Sequence, residues 1–442
     1  MPCLCCLRYK FARLANSHRL KRSVKKNTIA IPLFFLLCFF GYLSFDAIER
    51  PQNVIWSDAE GYYVYLPSTF IYNGFDKAAV RDTNYLRVWP GTDQIYIKYT
   101  CGVAILESPF FLTAHLLSRP FGYASDGHSL IYCYALMLAG IFYLLAGMCL
   151  LWHSIRAYYS PWAAGAVLAG LLFGTNLYYY SFFQPSMSHV YSFFLFAALV
   201  WSTDKLLQGE KKNQRWHYLL FGFIASLMVL VRPTSVLVLL YPLYRWSKRT
   251  PDKQAFLKSH AGLVIMAAVI AMLVWVPQLM YWKSVTGQWL MWSYGDETFK
   301  YWKEPKLFRV LFDAWNGWLL YSPIAFIPLL GLVLGRHTNQ HSEPILMFTL
   351  AAATYLFASW WAWWFGGAFG HRCYVEYYAL LAIPFAAVAE RAFRKKWSTA
   401  LFVLICILLI YYNLGLTYNY RAPWDGENWT YDSVWNEIKR LF

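Results

Sequence analysis

Charge is what this 442-residue chain has least of: charged side chains make up 14% of it, against about 25% in soluble domains. That excludes a soluble enzyme. Nine cysteines are scattered along the chain, clustered only at Cys3, Cys5 and Cys6, with no second close pair and no histidine at ligand spacing, which supports neither a disulfide framework nor a zinc site. Gly-rich phosphate loops, HExxH and GxSxG elbows are missing, and with them the common soluble nucleotide, metalloprotease and serine-hydrolase chemistries. No internal repeat is found either, so solenoids and coiled coils drop out.

What is present is apolar. Hydrophobic residues make up 59% of the chain and aromatics 20%, with a mean hydropathy of +0.34. Runs of transmembrane length recur from residue 28 to residue 418, so the sequence predicts one all-α polytopic membrane domain rather than a soluble domain with an anchor. The run at 28–45 follows a basic stretch and precedes no small-residue cleavage site, which reads as an uncleaved signal anchor.

Loop charge sets the orientation. Residues 1–27 carry eight Lys and Arg and no acid, and further basic loops lie at 204–217, 245–258 and 391–396. By the positive-inside rule all four are cytoplasmic. The net charge of +16 then reports orientation and contact with anionic lipid, not nucleic acid. Four apolar stretches lie between the first span and the 204–217 loop, at 101–118, 128–152, 161–180 and 189–203, and parity lets only three of them cross. In 101–118, Glu107, Ser108, His115, Ser118 and Arg119 share an arc of about 120°, so this segment is expected to lie on the outer membrane face as an amphipathic helix. Parity also splits 216–246 into two short spans around an outer Arg232-Pro233-Thr234 turn. Further spans at 260–282, 310–335, 344–364, 373–391 and 397–418 bring the total to eleven, with Glu376 inside one of them. The outer side then owns the loops 46–127 and 283–309 and the tail 419–442, where function is to be sought.

The first outer loop opens with Trp56-Ser57-Asp58-Ala59-Glu60-Gly61-Tyr62-Tyr63. Ionisable groups at a membrane boundary are costly unless hydrated or paired. Two carboxylates at i and i+2 do not share a helix face, which suits one that does chemistry and one that supports it; Asp58 as a plain helix N-cap is the other reading. Lys98, between tyrosines and just before the 101–118 helix, sits where it can bind a phosphate or simply snorkel. His189 is expected at the outer mouth of a span, bonding a substrate or buried and satisfied. Arg232 at its turn, and Arg372 after the run Trp360 to His371 with its two adjacent glycines, suit a phosphate or diphosphate head. Trp363, Trp364 and His371 in that run either stack on and bond a sugar or form an interfacial belt.

These residues resemble those of the GT-C superfamily of integral-membrane glycosyltransferases, and within it the protein mannosyltransferase and lipid A aminoarabinose transferase branch. Trp56 to Tyr63 resembles the branch's first-loop Asp motif, and Ile97-Lys98-Tyr99 resembles its Lys-Pro element, with Tyr99 where Pro is usual. Trp363-Trp364-Phe365-Gly366-Gly367 with Arg372 resembles a stretch of bacterial members. The branch often has a second acid in the loop after the third span, where this chain has Ser186 and His189. The resemblance implies a bundle with juxtamembrane helices in the first loop, a sugar donor on a polyprenyl phosphate, and a lipid, glycan or protein hydroxyl as acceptor. It also implies Asp58 as the catalytic carboxylate, Glu60 as its accessory, Lys98 as a ligand of the lipid phosphate, and no metal or other cofactor. Two rivals differ in what they require. A transporter or flippase calls for inverted repeats and midplane charges; a polysaccharide polymerase or ligase calls for a large late outer loop, and 283–309 is modest.

Overall fold

The computed structural model describes residues 51–76, 87–208, 213–334, 342–420 and 428–441. The expected signal anchor at 28–45 and the basic tail at 1–27 lie outside the described residues.

Helices dominate: α1 (Asp58–Tyr63), α2 (Gly102–Ser118), α3 (Leu130–Arg156), α4 (Pro161–Phe173), α5 (Ser188–Gln208), α6 (Gln214–Val231), α7 (Leu240–Arg249), α8 (Lys253–Thr286), α9 (Glu343–Ser359), α10 (Tyr378–Ala392) and α11 (Lys396–Asn419). Five of these, α3, α5, α6, α8 and α11, are long and apolar enough to cross a membrane, and α2, α4 and α9 are shorter apolar helices. The all-α expectation has one small exception, a two-stranded antiparallel ribbon that pairs β1 (Arg87–Val88) with β2 (Ile95–Tyr96).

Local chemistry explains the boundaries. Ser160 caps α4 by accepting from the Ala163 amide, with Pro161 as the first helical residue. Asp252 caps α8, which closes at Gly287 in the left-handed region with Lys283 in its last turn. Within the bundle α5 packs between α3 and α6 and is the most buried of the long helices, while α8 packs along α6 and leaves most of its surface exposed.

Two expectations change. The 310–335 segment is not one helix but the short pieces Leu307–Phe312, Trp318–Tyr321, Pro323–Ala325 and Phe326–Leu334. Asn316, at φ +66, breaks it, and its side-chain amide donates to the carbonyls of Trp364 and Gly366 at 3.0 Å each. The helix is given up where it pins the tryptophan-rich loop. The polar arc of α2 also faces the opposite way from the one expected. Glu107 is fully buried and accepts from the Tyr191 hydroxyl on α5 at 2.9 Å, and His115 meets Tyr132 at 2.7 Å. Leu112, Leu116 and Leu117 take the exposed face instead. A buried acid needs a partner, and the bundle supplies one in Tyr191. Gly102 sets the contact: a Cβ there would sit 2.6 Å from the Val231 backbone nitrogen, so α2 abuts the end of α6 backbone to side-chain-free backbone.

The break expected at Arg232 is observed. Helix α6 stops there, Arg232 is extended, and Pro233 opens a 3-10 turn, Pro233–Leu239, that runs into α7.

Candidate active site

Ser57, in the left-handed region at φ +55, turns the chain sharply into α1 and makes no side-chain capping bond. Asp58 is therefore the first helical residue and not the N-cap. Its carboxylate leaves the helix end and meets Arg372, with Oδ2 and Nη2 2.8 Å apart. Arg372 comes from the single 3-10 turn Arg372–Tyr374 just ahead of α10. Burial pushes the Asp58 carboxyl up, yet Arg372, the Tyr99 hydroxyl and Lys98 together outweigh it and hold the group below the usual carboxylate range. Gly61 makes room for Tyr99, whose ring atoms lie 2.8 Å from where a Cβ would stand. The Tyr99 ring then packs on Tyr62 with centroids 4.3 Å apart.

Beside this pair stands a second one. Arg232 Nε lies 3.2 Å from Glu376 Oε1, and the other Glu376 oxygen lies 3.4 Å from His189 Nδ1. Arg232 Nη1 is 3.2 Å from the same nitrogen, and Nη2 donates to Cys373 Sγ at 3.0 Å. A guanidinium only donates, so His189 Nδ1 accepts from it. The third pair joins Lys98 to Glu297 of the 288–302 segment, at 2.6 and 2.8 Å to its two oxygens. Tyr294 lies under the same ammonium, 5.1 Å from Nζ to ring centroid. Three cations are thus matched by three carboxylates in one cluster.

The structure brings together Asp58, Lys98, Arg232, Arg372 and His189, as the sequence suggested. It does not bring in the tryptophans. Trp363 is buried, edge-on to Trp315 and under Arg309, while Trp364 stacks on Trp315 with centroids 4.4 Å apart. His371 is walled in by Phe357, Phe365 and Tyr374, and its Nε2 donates to the Trp363 carbonyl at 3.0 Å. Burial first, then Arg372 and Arg232, lower its pKa to about 3, so it is a neutral scaffold residue beside Arg372. Glu60 is buried on α1 while Asp58 is only half-buried, so the two carboxylates do diverge. Sequence reasoning missed Glu376, Glu297, Tyr99 and Tyr62 as members of the cluster. Glu376 had a signal, since an acid inside an apolar span calls for a partner; the others depend on long-range packing. Among the described residues no group of three His, Cys, Asp or Glu is placed to hold a metal ion.

A carboxylate held in its charged form beside three cations can accept a proton and receive an anion on adjoining surfaces. An apolar groove of about 770 Å³ lies between α6 and α8, lined by Ala225, Val229, Met272, Trp275 and Leu279 among others. Leu279 borders Gln278 and Tyr281, which hold the 95–101 segment: Gln278 accepts from the Cys101 amide and Tyr281 from the Ile97 amide, both at 2.7 Å. The groove therefore runs along α8, the helix that also holds the segment carrying Lys98.

The helical bundle that carries this cluster shares its fold with solved structures of two membrane-associated transferases named below. In particular, the chain is similar to ArnT from Cupriavidus metallidurans bound to undecaprenyl phosphate, with a TM-score of 0.52 and 12% identity over 86% of this chain and 64% of that one. It is also similar to the Archaeoglobus fulgidus oligosaccharyltransferase in its apo form, with a TM-score of 0.55 and 13% identity over 95% of this chain and 60% of that one. The chain thus spans less than two thirds of either neighbour. No family model and no curated protein matches it.

Proposed function

We propose that the chain is a glycosyltransferase that moves a sugar from a polyprenyl-phosphate-linked donor to an acceptor hydroxyl of a lipid, glycan or protein on the extracytoplasmic face. The observation that carries this reading is the Asp58–Arg372 pair at 2.8 Å, with Lys98 and Arg232 in the same cluster. A fold neighbour that holds undecaprenyl phosphate supports the donor class.

In this reading the acceptor oxygen attacks the anomeric carbon as the bond from that carbon to the phosphate oxygen breaks. The bonding pair leaves on the polyprenyl phosphate, and the acceptor proton passes to Asp58. Arg372 and Lys98 meet the growing charge on the phosphate. Arg232 has its donors engaged by Glu376, His189 and Cys373, so it acts at longer range as a fixed positive charge. Glu60 supports the helix start that presents Asp58. Trp363, Trp364 and His371 hold Arg372 in place rather than stacking on the sugar. The prenyl chain lies in the apolar groove, where burial contributes about 25 cal/mol per Å². The loops 46–127 and 283–309 are extracytoplasmic, and α2 lies at the outer membrane surface with its leucines toward lipid.

The test is sugar transfer by the purified chain in proteoliposomes from undecaprenyl-phosphate-linked hexose and pentose donors, read by mass spectrometry beside envelope glycans and lipids of a deletion strain. Transfer with release of undecaprenyl phosphate supports the proposal. Movement of the intact donor across the bilayer without transfer would replace it with a flippase.

A further inference from the structure

We propose that Glu297 is a displaceable counter-ion that reserves Lys98 for a lipid-linked phosphate and keeps water-soluble phosphates out. The inference rests on the donor reading above and assigns a specificity role within that same site.

The three ion pairs of the cluster differ in how easily they open. Glu376 is almost wholly buried, with one oxygen held by Arg232 and the other closed off by His189. Asp58 is held by Arg372 and faced by Tyr99. Glu297 is different. It stands on an irregular segment rather than a helix, its partner Lys98 is a third exposed, and the pair has the most solvent contact of the three. The backbone around it is nonetheless fixed. Ser293 Oγ donates to the Lys98 carbonyl at 2.6 Å, and Tyr96 donates to the Ser293 carbonyl. Further on, the Trp361 amide donates to the Thr298 carbonyl at 3.1 Å and the Tyr301 amide to the Ser359 carbonyl at 2.9 Å. The segment is tied on both sides of Glu297, so the side chain can swing off Lys98 and return without the loop unfolding.

Such a pair sets a threshold. An incoming phosphate exchanges one anion for another on Lys98, so the electrostatic gain is small, and the phosphate must give up water to make the exchange. Inorganic phosphate has no apolar contact to offset that exchange. A prenyl phosphate does, because its chain can be buried in the groove along α8, the helix that holds the Lys98 segment. Lys98 therefore answers to the headgroup only when a lipid comes with it. Tyr294, under the ammonium, keeps Nζ in place during the exchange.

The experiment compares wild-type protein with E297Q, which keeps the side chain's shape, and with the double variant E297Q/K98A, all in detergent micelles. Two probes are used separately, farnesyl phosphate and inorganic phosphate, with binding read by calorimetry and folding checked by thermal unfolding. In E297Q inorganic phosphate affinity rises by about tenfold or more, on the scale of one charge-assisted hydrogen bond freed for the ligand. Farnesyl phosphate gains less, so the ratio between the probes narrows, and E297Q/K98A loses the gain. Unchanged or weaker inorganic phosphate binding in E297Q overturns the counter-ion role and shows Glu297 to be a positioning residue for Lys98. Failure of all three proteins to bind farnesyl phosphate, with the phosphate gain intact, refutes the donor reading instead.

Discussion

Replacing Asp58 with Asn tests the catalytic reading most directly, because the exchange keeps the side chain's size while removing its charge. Since Asp58 is not the N-cap of α1, helix initiation is not at stake. The loss is the charged contact to Arg372 at 2.8 Å, in a site where the two side chains are 24% and 17% exposed. A hydrogen bond to a charged partner contributes about 1.5–3 kcal/mol, and Asn Oδ1 retains part of it, so stability should fall by about 1 kcal/mol. Transfer should fall by about 10²–10⁴-fold, the usual contribution of a positioned base. The assay is initial rate of sugar transfer in proteoliposomes, with unfolding in detergent measured in parallel. The pH dependence adds a second constraint. The folded Asp58 carboxyl lies below its unfolded value of about 3.9, so the stability it contributes is complete above that value and is lost as pH falls through the folded one. The wild-type rate should show no acid limb from Asp58 between roughly pH 5 and 8. Full activity in Asp58→Asn would refute its role as base, and loss of activity in Glu60→Gln alone would move that role two residues along.

Arg372→Gln removes the strongest influence that holds the Asp58 carboxyl down and leaves burial to raise it, so an acid limb should enter the pH profile of kcat/KM from below; an unmoved profile would uncouple the pair from the reaction. Gly102→Ala places a Cβ 2.6 Å from the Val231 backbone nitrogen, which cannot yield as a side chain does, and should destabilise by about 1–3 kcal/mol in thermal unfolding. Gly165→Ala, with nothing within 4 Å, is the control and should be neutral or gain about 0.5–1 kcal/mol. A reporter fused after Ser125 should read as extracytoplasmic, and a cytoplasmic readout would overturn both the surface position of α2 and the eleven-span count.

Much of the bundle was legible because apolar length is a local property. The boundaries of α11 fall within one residue of those read from hydropathy, α5 and α8 contain and outrun theirs, and the break at Arg232 follows from Pro233. The 310–335 segment misled because its apolar content hides Asn316, whose side chain is spent on carbonyls of a loop far along the chain. The arc on α2 was read correctly as an arc and turned the wrong way, since periodicity marks a face without saying what it meets. Buried Tyr191 made the protein interior the better solvent for Glu107. At the site, Asp58, Lys98, Arg232 and Arg372 stood out as charges in an apolar chain. Their partners did not, because Glu376 and Glu297 lie far off in sequence and only packing joins them.

The spacing of those pairs bears on how the molecule is made. Asp58 meets Arg372, Lys98 meets Glu297, and Arg232 meets Glu376, so each early charge waits for a late one. During synthesis the first-loop charges and Arg232 must remain hydrated at the membrane boundary while the middle of the chain is inserted. The last partners enter only with the segment that begins α10. A chain stopped short of that segment can pair Lys98 with Glu297 and still leave Asp58 and Arg232 without their counter-ions, a state that quality control can read as unfinished. Completion of the ion-pair cluster thus becomes a late event in synthesis.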